Sequence, residues 1–138
     1  MDKITKREIR ELNPLTLAFL GDGVYEVLVR EKIAAAGSMS AAKLHKSAVN
    51  LVRASSQSSA VDIISPLLTD EEMNIYKRGR NANNNTVPRS SNPRDYRRAT
   101  GLEALFGYLH MIGEEERLRE LFEVIYSDKK NLSGSSKL

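Results

Sequence analysis

Apolar residues recur at helical spacing along most of the chain, most clearly between Asn13 and Ile33. Positions i, i+3, i+7, i+10 and i+11 form one apolar stripe there, which consists of Leu17, Leu20, Val24, Val27 and Leu28. Asn13 and Pro14 are typical of a helix start, because asparagine can cap free N–H groups and proline lacks an N–H. The pattern predicts a helix from about Pro14 that is apolar nearly all round and is either central or shared with a partner chain.

The spacing of apolar residues in the rest of the chain predicts further helices. Residues 2–12 can form one or two helical turns, and Ser40 is a suitable N-cap for a helix to about residue 64, with close packing or a bend in its small, polar middle. Thr69 and Glu72 form a capping box for a helix over 69–80. A fourth helix is predicted to begin at residues 92–93 and to end at Gly113. Its inward face is predicted to consist of Leu102, Leu105, Phe106, Leu109 and Ile112. The last helix, over 114–130, buries Leu118, Leu121, Phe122 and Ile125. No segment alternates as a strand does, so the predicted fold class is all-α.

Two stretches lack helical periodicity. Residues 79–92 are rich in Asn, Ser, Gly and Pro, which is typical of a loop, and such a long loop is usually functional or disordered. Residues 131–138 are polar and small, and we expect a disordered tail there. Residues 1–130 are predicted to form a single domain, since 138 residues are too few for two ordinary ones.

Composition narrows the class of protein. The chain has no cysteine, which excludes disulfides, thiol nucleophiles and cysteine-bound zinc. No charge-free apolar run reaches about 18 residues, and the N-terminus lacks the apolar segment of a signal peptide. We therefore expect a cytoplasmic protein without a membrane partner.

Basic charge is concentrated in one segment. Residues 77–98 carry a net charge of +6, whereas the whole chain carries +3. Such a cluster is either an ordinary solvated face or a binding surface for a phosphate chain. Its arginines can also pair with neighbouring acids such as Asp95 or Glu103.

Two acids stand on helical faces among apolar or small residues. Asp22 is expected to project among Leu15, Ala18 and Val29, and Glu103 lies between small residues of the fourth helix. A buried carboxylate needs an arginine or a metal as partner. The alternative interpretations are that Asp22 is an ordinary aspartate at a turn and that Glu103 is an ordinary surface glutamate. If the helices bring the two acids together, oxygen-only ligation suits Mg²⁺. Beside a phosphate-binding segment, this pair suggests metal-dependent phosphodiester cleavage.

Four ordered segments resemble the ribonuclease III family. They are LNPLTLAFLGDGVYE (12–26), KRGRNAN (77–83), TVP (86–88) and YRRATGLEALFGYLH (96–110). They are most similar to the Mini-ribonuclease III branch, which lacks a separate domain for binding double-stranded RNA. The resemblance spans about residues 12–126.

This resemblance implies an all-helical homodimer that hydrolyses both strands of double-stranded RNA with Mg²⁺, with Mn²⁺ as a second candidate, and leaves 5′-phosphate and 3′-hydroxyl ends. In this branch the implied substrate is precursor large-subunit (23S) ribosomal RNA, with a large-subunit ribosomal protein as a candidate accessory partner. Asp22 matches the catalytic, metal-binding aspartate and Glu103 the catalytic, metal-binding glutamate. Phe19 matches the residue that inserts into the partner subunit.

The chain departs from the full-length members at two positions, where Ala18 and Thr100 replace further acids. Water and phosphate oxygens would then complete the metal shell, and Thr100 is a candidate to hydrogen-bond a water on the metal. Without a separate RNA-binding domain, the expected backbone contacts are Lys77, Arg78, Arg80, Arg89, Arg94 and Arg97. The alternative functions are a non-catalytic factor for double-stranded RNA binding or ribosome assembly, and a purely helical interaction module.

Overall fold

The computed structural model describes residues 4–37, 39–82 and 92–135, and within them it contains seven α-helices. The helices are α1 (Lys6–Arg10), α2 (Pro14–Ala35), α3 (Ala41–Val52), α4 (Ala54–Ile64), α5 (Asp70–Arg80), α6 (Pro93–Met111) and α7 (Glu115–Ser135). A 3₁₀ turn, Ser65–Leu67, follows α4. The described ranges contain no strand, so the all-α prediction is confirmed.

Helix α6 forms the centre of the core. It packs against α1, α2, α4, α5 and α7, and eleven of its residues are buried. Most of its predicted inward face is confirmed, since Leu102, Leu105, Phe106 and Leu109 are buried, whereas Ile112 is only partly buried. All four residues predicted to face inward on α7 are buried as well. Glu103 therefore stands on a helix that close packing holds on several sides.

Helix α2 buries a different face from the predicted one. Of the predicted stripe, Leu17 and Leu28 are buried, but Leu20 and Val24 are only partly buried and Val27 is 54% exposed. The buried face instead consists of Leu17, Ala18, Gly21, Tyr25, Leu28, Val29 and Ile33.

The close crossing of α2 and α6 explains this rotation. A Cβ atom at Gly21 would lie 1.6 Å from the carbonyl oxygen of Glu103, and one at Gly107 would lie 2.0 Å from that of Leu17. Backbones approach this closely only where side chains are absent. Glycine positions, rather than the bulkiest apolar stripe, decide which face of α2 is buried.

The single helix predicted over residues 40–64 is divided in two. Arg53 is extended, with φ −65° and ψ 155°, and it separates α3 from α4. The Ser56 hydroxyl donates to the carbonyl of Asn50 at 2.5 Å, and the Gln57 amide donates to that of Val52 at 2.8 Å. These side chains satisfy carbonyls that the end of α3 leaves free, which stabilises the break.

The predicted helix starts are confirmed. Asn13 and Asn92 accept backbone N–H groups of α2 and α6, and Thr69 and Glu72 form the capping box of α5. Helix α5 continues to Arg80, so the predicted loop starts at residue 81 rather than 79, and its residues 83–91 lie outside the described ranges.

Helix α7 continues through residue 135, five residues beyond the expected end at 130. Residues 131–135, which we expected in a disordered tail, are helical, because extending an existing helix requires no new nucleation. Residues 136–138 lie outside the described ranges.

Candidate active site and basic cleft

The crossing of α2 and α6 brings the carboxyl groups of Asp22 and Glu103 together. Asp22 follows Gly21 on α2, and the backbone carbonyl of Glu103 lies directly against Gly21. The two side chains are within hydrogen-bonding reach of each other. The pairing of these acids, which the sequence left conditional, is present in the structure. A Cβ atom added at Gly23, by contrast, would meet no described atom beyond its own helix within 4 Å, so this second glycine is not required for the crossing.

The two acids have different environments. Asp22 is exposed, contrary to the expectation that it lies among Leu15, Ala18 and Val29, because the buried face of α2 is rotated toward Gly21. Glu103 is partly buried, and burial together with the charge of Asp22 raises its pKa to about 8. Without a cation, Glu103 therefore keeps a proton at neutral pH.

Gln57 of α4 completes the environment of Glu103. Its side chain is 3% exposed, and its Nε2 lies 3.4 Å from Oε2 of Glu103 and 2.8 Å from the carbonyl oxygen of Val52. Its Oε1 is buried and has no hydrogen-bond partner within residues 4–37, 39–82 and 92–135. Sequence reasoning did not single out this residue; its only signal was a long polar amide among the small residues of ASSQSSA.

Tyr25 follows Asp22 by three residues on α2 and stays neutral. Its ring is 2% exposed and packs against Phe106 and Phe122, with centroids 5.3 and 5.7 Å away. Burial and the charge of Glu103 raise the pKa of its phenol above the ordinary value. It can therefore donate a proton in a hydrogen bond but does not serve as a base near pH 7.

The oxygen atoms at this site fit a divalent cation that has few protein ligands. Among the described residues, no group of three or more His, Cys, Asp or Glu side chains is placed to hold a metal. A cation between Asp22 and Glu103 would relieve the repulsion that raises the Glu103 pKa. Carboxylate oxygens completed by water are a normal arrangement for Mg²⁺.

Thr100 is 9% exposed, and its hydroxyl donates to the carbonyl oxygen of Tyr96 at 3.0 Å. The donor of this hydroxyl is therefore used within α6, while its oxygen retains acceptor capacity.

A basic cleft of about 570 Å³ lies between α4, α5 and α6. Among its lining residues are Lys77, Arg80, Arg94, Arg97 and Arg98. The structure thus brings together four of the six predicted phosphate contacts. Neither Asp22 nor Glu103 lines the cleft, although Arg97 and Glu103 share α6 and are about 9 Å apart along its axis.

Two of the cleft arginines have fixed partners. Arg98, 8% exposed, donates to Asp62 at 2.5 Å and so joins α6 to α4. Arg80 lies over the ring of Tyr76, 5.7 Å from its centroid, and donates to Asn81. These contacts hold the guanidinium groups in place at the cleft.

Arg78, a fifth predicted contact, does not line the cleft. Arg78 donates to the carbonyl oxygens of Arg10 and Leu12 at 2.5 and 3.2 Å, so it ties α5 to the turn between α1 and α2. Arg89 lies outside the described residues.

Phe19 stands on the surface of α2 and is 84% exposed. Val27, on the same helix, is 54% exposed.

In the described part of the chain no helix is both long and apolar enough to cross a membrane.

Comparisons with known proteins show the family of this chain. The family model of the Ribonuclease III domain matches residues 15–114. A Mini-ribonuclease 3 of Thermoanaerobacter sp. is 45% identical over 121 residues, 88% of this chain and 85% of that protein. A Mini-ribonuclease 3 of Staphylococcus aureus is 38% identical over 127 residues, 91% of this chain and 95% of that protein. A crystal structure of a Fusobacterium nucleatum protein superposes with a TM-score of 0.78 and 33% identity, and covers 84% of this chain and 94% of that one. The chain belongs to the ribonuclease III family.

Proposed function

We propose that this protein hydrolyses both strands of double-stranded RNA with Mg²⁺ held by Asp22 and Glu103, and that its substrate is precursor large-subunit ribosomal RNA. As a ribonuclease III family member, it is a double-strand-specific endoribonuclease. The family depends on divalent metals and acts as a dimer. We further propose that the metal is Mg²⁺, that a large-subunit ribosomal protein assists with the ribosomal substrate, and that the protein is cytoplasmic.

The observation that supports this proposal most strongly is the carboxyl pair. Asp22 is exposed and reaches Glu103, whose pKa is raised to about 8 by burial and by the charge of Asp22. Two acids forced together in this way release the shared proton when a cation binds between them.

The chemistry at the pair follows from what these residues can hold. A bound Mg²⁺ would supply Lewis acidity toward a phosphoryl oxygen and would lower the pKa of a bound water. Asp22 and Glu103 would hold the cation, and the exposed position of Asp22 leaves its carboxylate accessible to a phosphodiester. Cleavage on the 3′-oxygen side of the phosphate leaves the proposed 5′-phosphate and 3′-hydroxyl ends.

The basic cleft is proposed to hold the RNA backbone. Double-stranded RNA is recognised mainly through its shape, phosphates and 2′-hydroxyls, which suits a row of arginines without a base-reading element. Lys77, Arg80, Arg94 and Arg97 line the cleft, and Arg89 remains a candidate from its position in the sequence. Arg78 is proposed to act mainly by fixing α5, since carbonyl oxygens occupy its guanidinium.

Phe19 is proposed to form the homodimer contact. An exposed phenylalanine on the same helix as an exposed Val27 leaves apolar area that a second copy can cover. A homodimer would present two carboxyl pairs to one duplex, which suits cleavage of both strands.

The proposal is tested by incubating a long RNA duplex with the protein, with and without Mg²⁺, and by analysing the product lengths and ends. We expect Asp22→Asn and Glu103→Gln to abolish cleavage while they retain RNA binding. Glu11→Gln is a matched control, because Glu11 is an exposed acid at the end of α1 that pairs with Arg7. Cleavage at wild-type rates by both site variants would refute the proposed roles.

A second measurement tests the cleft. We expect Arg94→Gln with Arg97→Gln to weaken duplex binding and to flatten its dependence on salt, because fewer counterions are released. Arg7→Gln, on α1, removes a similar exposed charge outside the cleft and is expected to leave binding unchanged. Duplex binding without any metal-dependent product would instead favour the non-catalytic RNA-binding factor.

A further inference from the structure

Gln57 is held in one orientation beside the carboxyl pair. Its Nε2 contacts two acceptors, the carbonyl oxygen of Val52 at 2.8 Å and Oε2 of Glu103 at 3.4 Å. Rotating the amide by half a turn would place its oxygen against the Val52 carbonyl oxygen, which has no proton to donate, so the rotated amide is unfavourable. The position of Oε1 is therefore set by the contact with the backbone at the end of α3.

The other end of this amide has no partner among the residues that the structure describes. Oε1 of Gln57 is buried there and accepts no hydrogen bond from any of them, in a side chain that is 3% exposed. A buried acceptor without a donor is unfavourable, and in folded proteins such atoms usually find a donor in water or in a ligand. A hydrated cation at Asp22 and Glu103 carries water O–H groups, which are donors of the required kind.

The geometry points to Gln57 as a positioning residue for the metal site: its Nε2 fixes the Glu103 carboxylate, and its Oε1 accepts a hydrogen bond from water in the hydration shell of the cation. This inference rests on the proposed function, because it requires a cation at the carboxyl pair. Being neutral, Gln57 anchors the site without adding a third negative charge to two acids that already repel each other. It acts through Glu103 and through water on the cation, and at 3% exposure its own side chain is buried in the protein.

A purely structural role makes different predictions. If Gln57 served only to satisfy the Val52 carbonyl at the end of α3, its replacement would lower stability and leave metal affinity unchanged. If it positions the site, its replacement by an apolar residue of similar size lowers metal affinity. In EDTA, removing the unpaired Oε1 offsets part of the stability lost with Nε2 under both roles, so metal affinity is the measurement that separates them.

The test is Mn²⁺ binding to the RNA-free protein, measured by the paramagnetic resonance signal of free Mn²⁺, together with urea unfolding in EDTA. Gln57→Leu is expected to raise the Mn²⁺ dissociation constant about tenfold or more, as is usual when a residue that orients a metal ligand is lost. Gln57→Asn keeps the amide but shortens its reach, so it is expected to weaken binding as well; it serves if Gln57→Leu does not fold. Ser59→Ala is the control, because the Ser59 hydroxyl donates to Ser55 on the exposed side of the same helix.

The outcomes separate this inference from the function on which it rests. Wild-type Mn²⁺ affinity in a folded Gln57 variant overturns the inference, as does a wild-type protein that binds no Mn²⁺. If that variant keeps wild-type metal dependence of duplex cleavage while Asp22→Asn is inactive, the inference fails and the proposed function stands. If the wild-type protein cuts no duplex RNA with any divalent metal, the proposed function fails and the inference with it.

Discussion

Replacing Gly21 with alanine tests whether the close crossing of α2 and α6 builds the carboxyl pair. The new Cβ would lie 1.6 Å from the carbonyl oxygen of Glu103, whereas ordinary contact begins at about 3.4 Å, so the helices would have to separate by about 1.8 Å. Neither atom can rotate away, because one is a Cβ and the other belongs to a helix backbone. We therefore expect a loss of about 3 kcal/mol or more in the free energy of unfolding, at the upper end for overpacked cores.

Gly23→Ala provides the matched control for this change. It lies two residues away on the same helix, and no described atom beyond its own helix stands within 4 Å of its Cβ position. Alanine is favoured over glycine inside a helix by about 1 kcal/mol, so this variant is expected to be as stable as wild type or slightly more stable.

Both variants are compared with wild type by urea unfolding in EDTA at one protein concentration, with circular dichroism as the signal. A Gly21→Ala protein within about 1 kcal/mol of wild type would refute the reasoning. So would an equal loss in both variants. Any folded fraction of Gly21→Ala is also expected to cleave duplex RNA poorly, since Glu103 moves with α6.

Three further predictions concern stability and assembly. Arg117→Ala leaves the carboxylate of Glu72, 6% exposed, without its guanidinium partner at 2.8 Å, and is expected to cost about 3 kcal/mol in urea unfolding at pH 7. Burial raises the pKa of Glu72, but hydrogen bonds from Arg117 and Thr69 outweigh burial and lower the pKa. The stabilisation from this ion pair is therefore present above the unfolded pKa of about 4.3 and is lost as pH falls. If Arg117→Ala left the dependence of stability on acid pH unchanged, this reasoning would be contradicted. The pKa of Glu103 is shifted in the opposite direction, to about 8. In EDTA the wild-type protein should therefore lose stability as pH rises from about 4.3 to about 8, whereas Glu103→Gln should not. Urea unfolding midpoints at these two pH values measure the difference. Phe19→Ser removes an 84% exposed apolar side chain and is expected to sediment as a monomer; a dimer of unchanged affinity would exclude the proposed contact.

Much of the fold is encoded in local signals. Asn13, Thr69 and Asn92 mark helix starts by side-chain capping, which depends only on the next few residues, and each of these caps is present in the structure. The inward faces of α6 and α7 follow from apolar spacing, because both helices bury bulky residues on one side. The family resemblance, carried by the order of four segments, is confirmed by the comparisons.

Other features depend on contacts between distant segments, which spacing along one helix cannot show. The buried face of α2 is set by where Gly21 meets α6, so the apolar stripe gave a partly wrong prediction and Asp22 proved exposed. The break at Arg53 depends on side chains that cap α3 from α4. Arg78 was indistinguishable from its basic neighbours until its contacts with the α1–α2 turn were known.

Residue type and short-range order were enough to specify the helical class, the ends of most helices, the two acids and the basic segment. Three features could be seen only once the packing was known. Asp22 meets Glu103, and Gln57 contacts Glu103 while its Oε1 is unpaired among the described residues. Five basic side chains share one cleft. These features arise where α2, α4, α5 and α6 pack together, and the Gln57–Glu103 contact joins residues 46 positions apart. The charge on Glu103 likewise depends on burial and on Asp22, which only the packed helices supply.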